Sequence, residues 1–502
     1  MTAVTVQPSF LGTRRGKLTL ILLCSVGFLD FVDASIVNIA LPAIRQDLHF
    51  SAQGLEWVPS GYLLTYGGFM LLGGRAADLL GRRRVLLAGI VVIGISSLIG
   101  GFAGSSGVLV GARLAQGLGA ALTLPAALSL LTTSFRDGPE RHKALGAWGA
   151  VAGLASAVGV LAGGLLTQGP GWRWVMFVNP LACVLLIGPV YRLIRRDQPR
   201  ARSGGFDFLG SLLATAGLLL LVFALVKAPD QGWGAGRTIG ELGGAAALLT
   251  LFAVNERFTR SPLLPFAIFR VRGLAAADVT QLVALAGFFS LFYFLTLYMQ
   301  NVLHYSPIET GLAYVPLCFA IGLSSGIGAQ LMSRVGTRPV IAAGLVIAGG
   351  GLYWLSRIPV HGHFASDMLP GLLIVALGFG AVFVGISTAA NTGVRPQEAG
   401  LAAALLNTAQ QVGGALGIAV LSAVSAARTN SLMTAGTPAP EALTAGFGRA
   451  LLVGSFALLA AAVVAMWIAN TRNPGTAGPS AGEPGRDSAA SVTAPDAAET
   501  VP

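Results

Sequence analysis

The chain has 502 residues, 54% of them hydrophobic and only 11% charged, with a mean hydropathy of +0.73. A water-soluble protein of this length needs far more charge to cover its surface, so composition places the chain in a membrane. The net charge of +11 would suit nucleic acid, but most basic residues flank apolar runs, the pattern of membrane topology, and no nucleic-acid partner is expected.

A membrane span needs about 20 mostly apolar residues. Fourteen such runs follow one another, centred near residues 30, 65, 94, 120, 155, 183, 218, 248, 287, 320, 348, 380, 411 and 457. The first is too long for a cleaved leader and carries Asp30 and Asp33, so it reads as a retained helix. Basic clusters at Arg14-Arg15-Lys17, Arg82-Arg83-Arg84, Arg192 to Arg202 and Arg257 to Arg272 fall on one side of the bilayer. They put both termini in the cytoplasm, which an even number of spans satisfies. The segment from about Thr471 is rich in Pro, Gly, Ala and Ser and reads as a disordered cytoplasmic tail.

A faint repeat divides the chain. Gly74 to Val85 (GRAADLLGRRRV) aligns with Ala329 to Val340 (AQLMSRVGTRPV), placing Gly81 on Gly336, Arg83 on Arg338 and Asp78 on Ser333. The ninth span then stands opposite the first. The expected layout is a cytoplasmic tail over 1–17, a six-helix bundle over 18–200, two inserted helices with linkers over 201–260, a second six-helix bundle over 261–470, and the tail 471–502. Duplicated halves with substrate held between them are a common transporter design.

Charges inside spans are costly and are functional candidates by default. Asp30 and Asp33 lie well inside span one and Asp278 just inside span nine, whereas Glu56 and Glu241 sit at outer helix ends and read as interfacial. A rise of about 1.5 Å per residue puts Asp33 roughly 22 Å from the cytoplasmic side and Arg113 of span four roughly 9 Å below the outer surface. In a core about 30 Å thick those depths coincide. Two readings of an Asp33–Arg113 pair stand: a proton-coupling element, or a static tie between helices. Asp30, three residues before Asp33, either shares the proton or faces a water-filled cavity and recognises a cationic substrate.

All five histidines (His49, His142, His304, His361, His363) fall in loops, which leaves the carboxylates as proton carriers. Cys24, Cys183 and Cys318 lie within apolar runs, so neither a disulfide framework nor a metal site is expected. The string Gly12 to Leu18 lacks the spacing and hydroxyl of a phosphate-binding loop. Energy must then come from an ion gradient, or from the substrate's own, with no bound cofactor. Phe288, Phe292 and Tyr293 of span nine, with Tyr62 and Tyr66 of span two, either pack and meet lipid or line an apolar pocket.

These residues form a set that resembles the major facilitator superfamily, and within it the fourteen-span drug:proton antiporters of the EmrB/QacA type, from about Leu18 to Asn470. VDASIVNIALPAI (Val32 to Ile44) resembles the span-one signature whose acid is Asp33 here. Gly74-x-x-x-Asp78-x-x-Gly81-Arg82-Arg83-Arg84 resembles the loop motif that latches the cytoplasmic gate. LVGARLAQGLGAA (Leu109 to Ala121) resembles the span-four motif, with Arg113 in the proton-transfer position. Gly153, Gly159, Gly163 and Gly164 resemble the antiporter motif GxxxxxGPxxGG, with Val160 where proline is usual. Trp172-Arg173-Trp174 and Phe177-Val178-Asn179-Pro180 match the opening of span six.

The resemblance implies an all-α membrane protein of the major facilitator fold, with 14 transmembrane helices arranged 6+2+6. It also implies a plasma-membrane protein that exports drugs or antibiotics in exchange for protons and is not an enzyme; nothing in the sequence requires more than a monomer. Import or facilitated passage of a metabolite, and a sensor without transport, are the alternatives.

Overall fold

The computed structural model describes residues 10–135, 139–194, 207–259, 262–264, 266–271, 273–391 and 399–470. The tail expected over 471–502 and most of the basic run up to Arg202 lie outside them. The described residues form helices α1 (Arg14–Asp47), α2 (Trp57–Leu80), α3 (Arg82–Gly101), α4 (Ser106–Ser134), α5 (Pro139–Gln168), α6 (Arg173–Leu193) and α7 (Phe208–Gln231). They continue with α8 (Gly236–Phe258), α9 (Leu274–Asn301), α10 (Pro307–Val335), α11 (Thr337–Leu355), α12 (Leu369–Asn391), α13 (Ala399–Thr434) and α14 (Ala439–Ala465).

Twelve of these helices are long and apolar enough to cross a membrane. The other two are α2 and α5, and the apolar stretch of α5 is the shorter Leu154–Gln168. In α2 the hydropathy is diluted by Tyr62, Thr65, Tyr66, Arg75 and Asp78. Helices suit this environment because each satisfies its own backbone where no water can. Their first turns are closed by side chains: Thr13 accepts from the Gly16 N–H at 3.0 Å, and Ser306 with Glu309 forms a reciprocal capping box. Large apolar side chains face outward, among them Phe258, Phe319, Val184 and Leu185, inverting the surface of a soluble protein.

Packing follows the repeat. In the first set α1 packs on α5 and α6, α2 on α4, and α3 on α4 and α6. Eight helices later the same pattern recurs, with α9 on α13 and α14, α10 on α12, and α11 on α12 and α14. Two seams join the sets, α2 with α13 and α5 with α10, which are themselves counterparts. Helices α7 and α8 pack on each other, and α7 also lies against α2 and α13.

The turn Gly81 between α2 and α3 has φ 100°, and its counterpart Gly336 has φ 96°. Both values lie in a region where a side chain is strained, so the aligned glycines are a backbone requirement. Arg83 donates to the Tyr191 carbonyl at 2.9 Å near the end of α6, and Arg338 donates to the Ile468 carbonyl at 2.9 Å just past α14. The aligned arginines therefore perform one task, capping carbonyls that the sixth helix of each set leaves open.

Two expectations need correction. His142 lies in the first turn of α5 rather than in a loop, because Pro139 opens that helix earlier. Glu56 stands at the start of α2 but is buried there rather than exposed, because the one-turn helix Ala52–Leu55 folds against α7 and α13.

Candidate functional site

Five helices of the first set converge on Arg113. This side chain and that of Asp33 are 1% and 4% exposed, and Arg113 Nη1 lies 2.8 Å from Asp33 Oδ2. Nη1 also donates to Gln116 Oε1 at 2.9 Å, one turn along α4, and Nε donates to the Val58 carbonyl of α2 at 3.1 Å. The Tyr62 ring covers the guanidinium, 4.2 Å from its carbon to the ring centroid, in cation–π geometry. The second carboxylate oxygen of Asp33 accepts from Asn179 Nδ2 of α6, and from Gln116 Nε2 at 3.3 Å. Gln116 Nε2 also reaches Ser97 Oγ of α3.

A buried ion pair is tolerable only when further hydrogen bonds support it. Here both oxygens of Asp33 and two nitrogens of Arg113 are bonded, while among the described residues Asn179 Oδ1 stays buried without a partner. Chemically it can do one thing that a packed apolar core cannot. A proton on Asp33 cancels its charge and frees Arg113, changing the bond pattern between α1, α4 and α6 together.

Asp30 lies one turn away from Asp33, buried, with the Thr123 hydroxyl of α4 3.1 Å from its Oδ2. It faces this hydroxyl rather than an open surface. Asp278 sits four residues into α9, far along the chain from this network, and both its carboxylate oxygens are buried.

The aromatic candidates fall into three groups rather than one pocket. Tyr62 and Tyr66 stack edge to face at 5.5 Å beside Arg113. Phe288 packs on Phe292 at 5.2 Å, Phe379 at 4.9 Å and Phe383 at 5.4 Å, and Phe292 lies 4.7 Å from Tyr314. Tyr293 points elsewhere, against Phe294. Phe288 on α9 and its partners on α12 occupy the helix pair that corresponds to α1 and α4. The carboxylate–arginine pair of the first set thus has an aromatic cluster as its counterpart.

In the loop motif Asp78 lies 3.6 Å from Arg82, which donates to Thr133 Oγ1 at 2.8 Å, while Arg83 also covers the Tyr191 ring at 4.3 Å. Gly74, one turn before Asp78, approaches Pro125 of α4. Of the α5 glycines, Gly159 and Gly163 face α1 at Val32 and Ile36, and Gly164 faces α10 at Pro307. Gly153 lies in the same helix. A side chain at Gly163 or Gly164 would meet backbone, so these positions permit close approach of α1 and α10 to α5. The Trp172-Arg173 dipeptide has a physical role: Arg173 Nη1 at 2.6 Å and Trp172 Nε1 at 3.0 Å both bind Asp47 Oδ2, tying the start of α6 to the end of α1.

Reasoning from sequence missed Gln116, Ser97, Thr123, Phe379 and Phe383, and quoted Asn179 without a role. For Gln116 the available signal was a polar side chain one turn along α4 from Arg113; the other four carry no such mark. Among the described residues no group of three His, Cys, Asp or Glu could hold a metal ion.

Fold and site together define a multi-pass helical membrane protein of two matched helix sets, with a hydrogen-bonded charge pair buried in the first. The Major Facilitator Superfamily profile matches residues 23–418, and the chain belongs to this superfamily of transporters. It is similar to the puromycin resistance protein pur8 of Streptomyces alboniger, 40% identical over 435 residues that cover 85% of each chain. It is also similar to the cephamycin export protein CmcT of Amycolatopsis lactamdurans, 38% identical over 464 residues, 90% of this chain and 92% of that one. Its fold matches a crystal structure of a bacterial homologue of the human lysosomal transporter Spinster, in an inward-facing and occupied conformation. The TM-score is 0.66 at 16% identity, covering 90% of this chain and 97% of that one.

Proposed function

We propose that the chain exports drug-like or antibiotic-like organic molecules across the plasma membrane in exchange for protons, as a member of the fourteen-span EmrB/QacA-type antiporters. The observation that carries this reading is the Asp33–Arg113 pair at 2.8 Å, buried among five helices. Proton uptake by Asp33 releases Arg113, and the released helices rearrange about the seams between the two sets. Substrate occupancy of the space between the sets and protonation of Asp33 then alternate, with Asp30 as the second acid. Asp78, Gly81, Arg82 and Arg83 close the cytoplasmic side. The similarity to proteins named for puromycin resistance and cephamycin export supports export and a drug-like cargo.

The fourteen-span reading takes α2 and α5 as spans as well. With 24 and 30 residues they are about 36 and 45 Å long, enough to cross a core of about 30 Å. Six helices, two inserted helices and six more give the divisions 18–200, 201–260 and 261–470, and the recurring contact pattern supports them. The even count and the basic bias support cytoplasmic termini, and the monomer is taken as the working unit.

The test is accumulation in a drug-hypersensitive host. Cells expressing the chain should hold less ethidium or puromycin than control cells, and a protonophore should abolish the difference. Accumulation that matches control cells across cationic and neutral drugs removes the exporter reading. Uptake that follows a metabolite's own gradient points to a facilitator instead.

A further inference from the structure

Away from Asp33, a cavity of about 610 Å³ opens where the ends of α11 and α13 meet the beginning of α14. Its wall carries Arg357 just beyond α11, Arg428 near the end of α13, and Arg449 on α14, against a single acid, Glu441. Three arginines against one glutamate leave a local excess of two positive charges. Arg357 is held in place by Tyr353, whose ring lies 4.4 Å from the guanidinium carbon. Arg428 and Arg449 are exposed, and among the described residues neither has a hydrogen bond or ion pair.

Position relative to the bilayer narrows the ligand. Tyr353 and Trp354, on the last turn of α11, are 41% and 47% exposed, as aromatic side chains are at a membrane interface. The arginines therefore stand at headgroup level. Below them α14 presents Arg449, Leu452, Phe456, Leu459 and Val463 at spacings of three and four residues, which is one helix face. Leu452 lines the cavity, and Phe456 and Val463 are 60% and 59% exposed. From Arg449 to Val463 this face runs about 21 Å, longer than half of a core about 30 Å thick. A cationic cavity thus continues into an apolar stripe one leaflet deep.

We propose that this cavity binds the phosphate of an anionic phospholipid, with an acyl chain laid along the α14 stripe. The shared chemistry is a phosphate anion, and the stripe selects the lipid over a soluble phosphate. Guanidinium groups suit this ligand because they meet phosphate oxygens with two parallel bonds.

The experiment is native mass spectrometry of the purified full-length chain in detergent, titrated with phosphatidylglycerol or phosphatidylcholine, with and without glycerol 3-phosphate. Phosphatidylglycerol should bind more tightly than phosphatidylcholine. The double variant Arg428→Gln/Arg449→Gln should weaken its binding about 30-fold, the equivalent of ~1 kcal/mol per arginine. Arg237→Gln, an exposed arginine of α8, should leave it unchanged. Equal binding of the two lipids, or wild-type affinity in the double variant, overturns the proposal. Displacement by equimolar glycerol 3-phosphate overturns the lipid assignment and makes the cavity a site for soluble phosphate.

Discussion

Replacing Asp33 with asparagine leaves Arg113 charged and buried without its carboxylate. Removing one partner of a buried pair typically costs ~3–5 kcal/mol, because the remaining charge has left water without compensation. Gln116 Oε1, the Val58 carbonyl and the Tyr62 ring still face the guanidinium, so the low end applies. A loss of about 3 kcal/mol is a shift of roughly 150-fold in the unfolding equilibrium. Arg113→Gln removes the cation of the same pair while Asn179 and Gln116 still donate to Asp33, so the low end of that range applies there too. The double variant Asp33→Asn/Arg113→Gln removes both charges of the pair together. It should recover about 1.5 kcal/mol or more relative to the sum of the single variants. Denaturant unfolding in micelles, followed by tryptophan fluorescence, gives all four corners of the cycle. Additivity within about 0.5 kcal/mol would show that the two residues do not act as a pair, and would refute the reasoning. Efflux should be absent from Asp33→Asn although the protein still inserts in the membrane, and full efflux there would remove the coupling role.

Gly117→Val would place side-chain atoms against the Tyr62 carbonyl and Thr65 Oγ1, already 2.3 and 2.1 Å from an ideal Cβ. It should destabilise the chain by about 1–3 kcal/mol in thermal unfolding, while Gly111→Val in the same helix, with open space around it, should not. Arg83→Gln should speed hydrogen exchange at the end of α6 alone, and Arg338→Gln should do so beyond α14 alone, each losing a charge-assisted bond of about 1.5–3 kcal/mol. Exchange that rises at both ends in either variant would contradict the equivalence of the two arginines.

Much of this was legible because a bilayer simplifies the code. Span length follows from bilayer thickness, and the same arithmetic puts Asp33 level with Arg113, which pair at 2.8 Å. The aligned Gly81 and Gly336 were legible because a tight turn leaves a local mark. What stayed hidden depends on azimuth around each helix. Gln116, Ser97 and Asn179 are ordinary polar residues in apolar runs until the rotation of α3, α4 and α6 turns them to one carboxylate. The same applies to Asp30, whose partner is Thr123 rather than an open surface, and to Tyr293, which diverges from Phe288 and Phe292 within one turn. The burial of Glu56 depends on a one-turn helix that carries no apolar period of its own.

The coupling claim is tested most directly by proton movement in proteoliposomes. Vesicles of purified protein enclosing a pH-sensitive dye would be given a proton gradient and then a panel of lipophilic drugs. Proton flux should rise with added drug in the wild type and vanish in Asp33→Asn. A drug-dependent flux that survives in Asp33→Asn, or no flux with any drug while the wild type still moves substrate, would contradict the account.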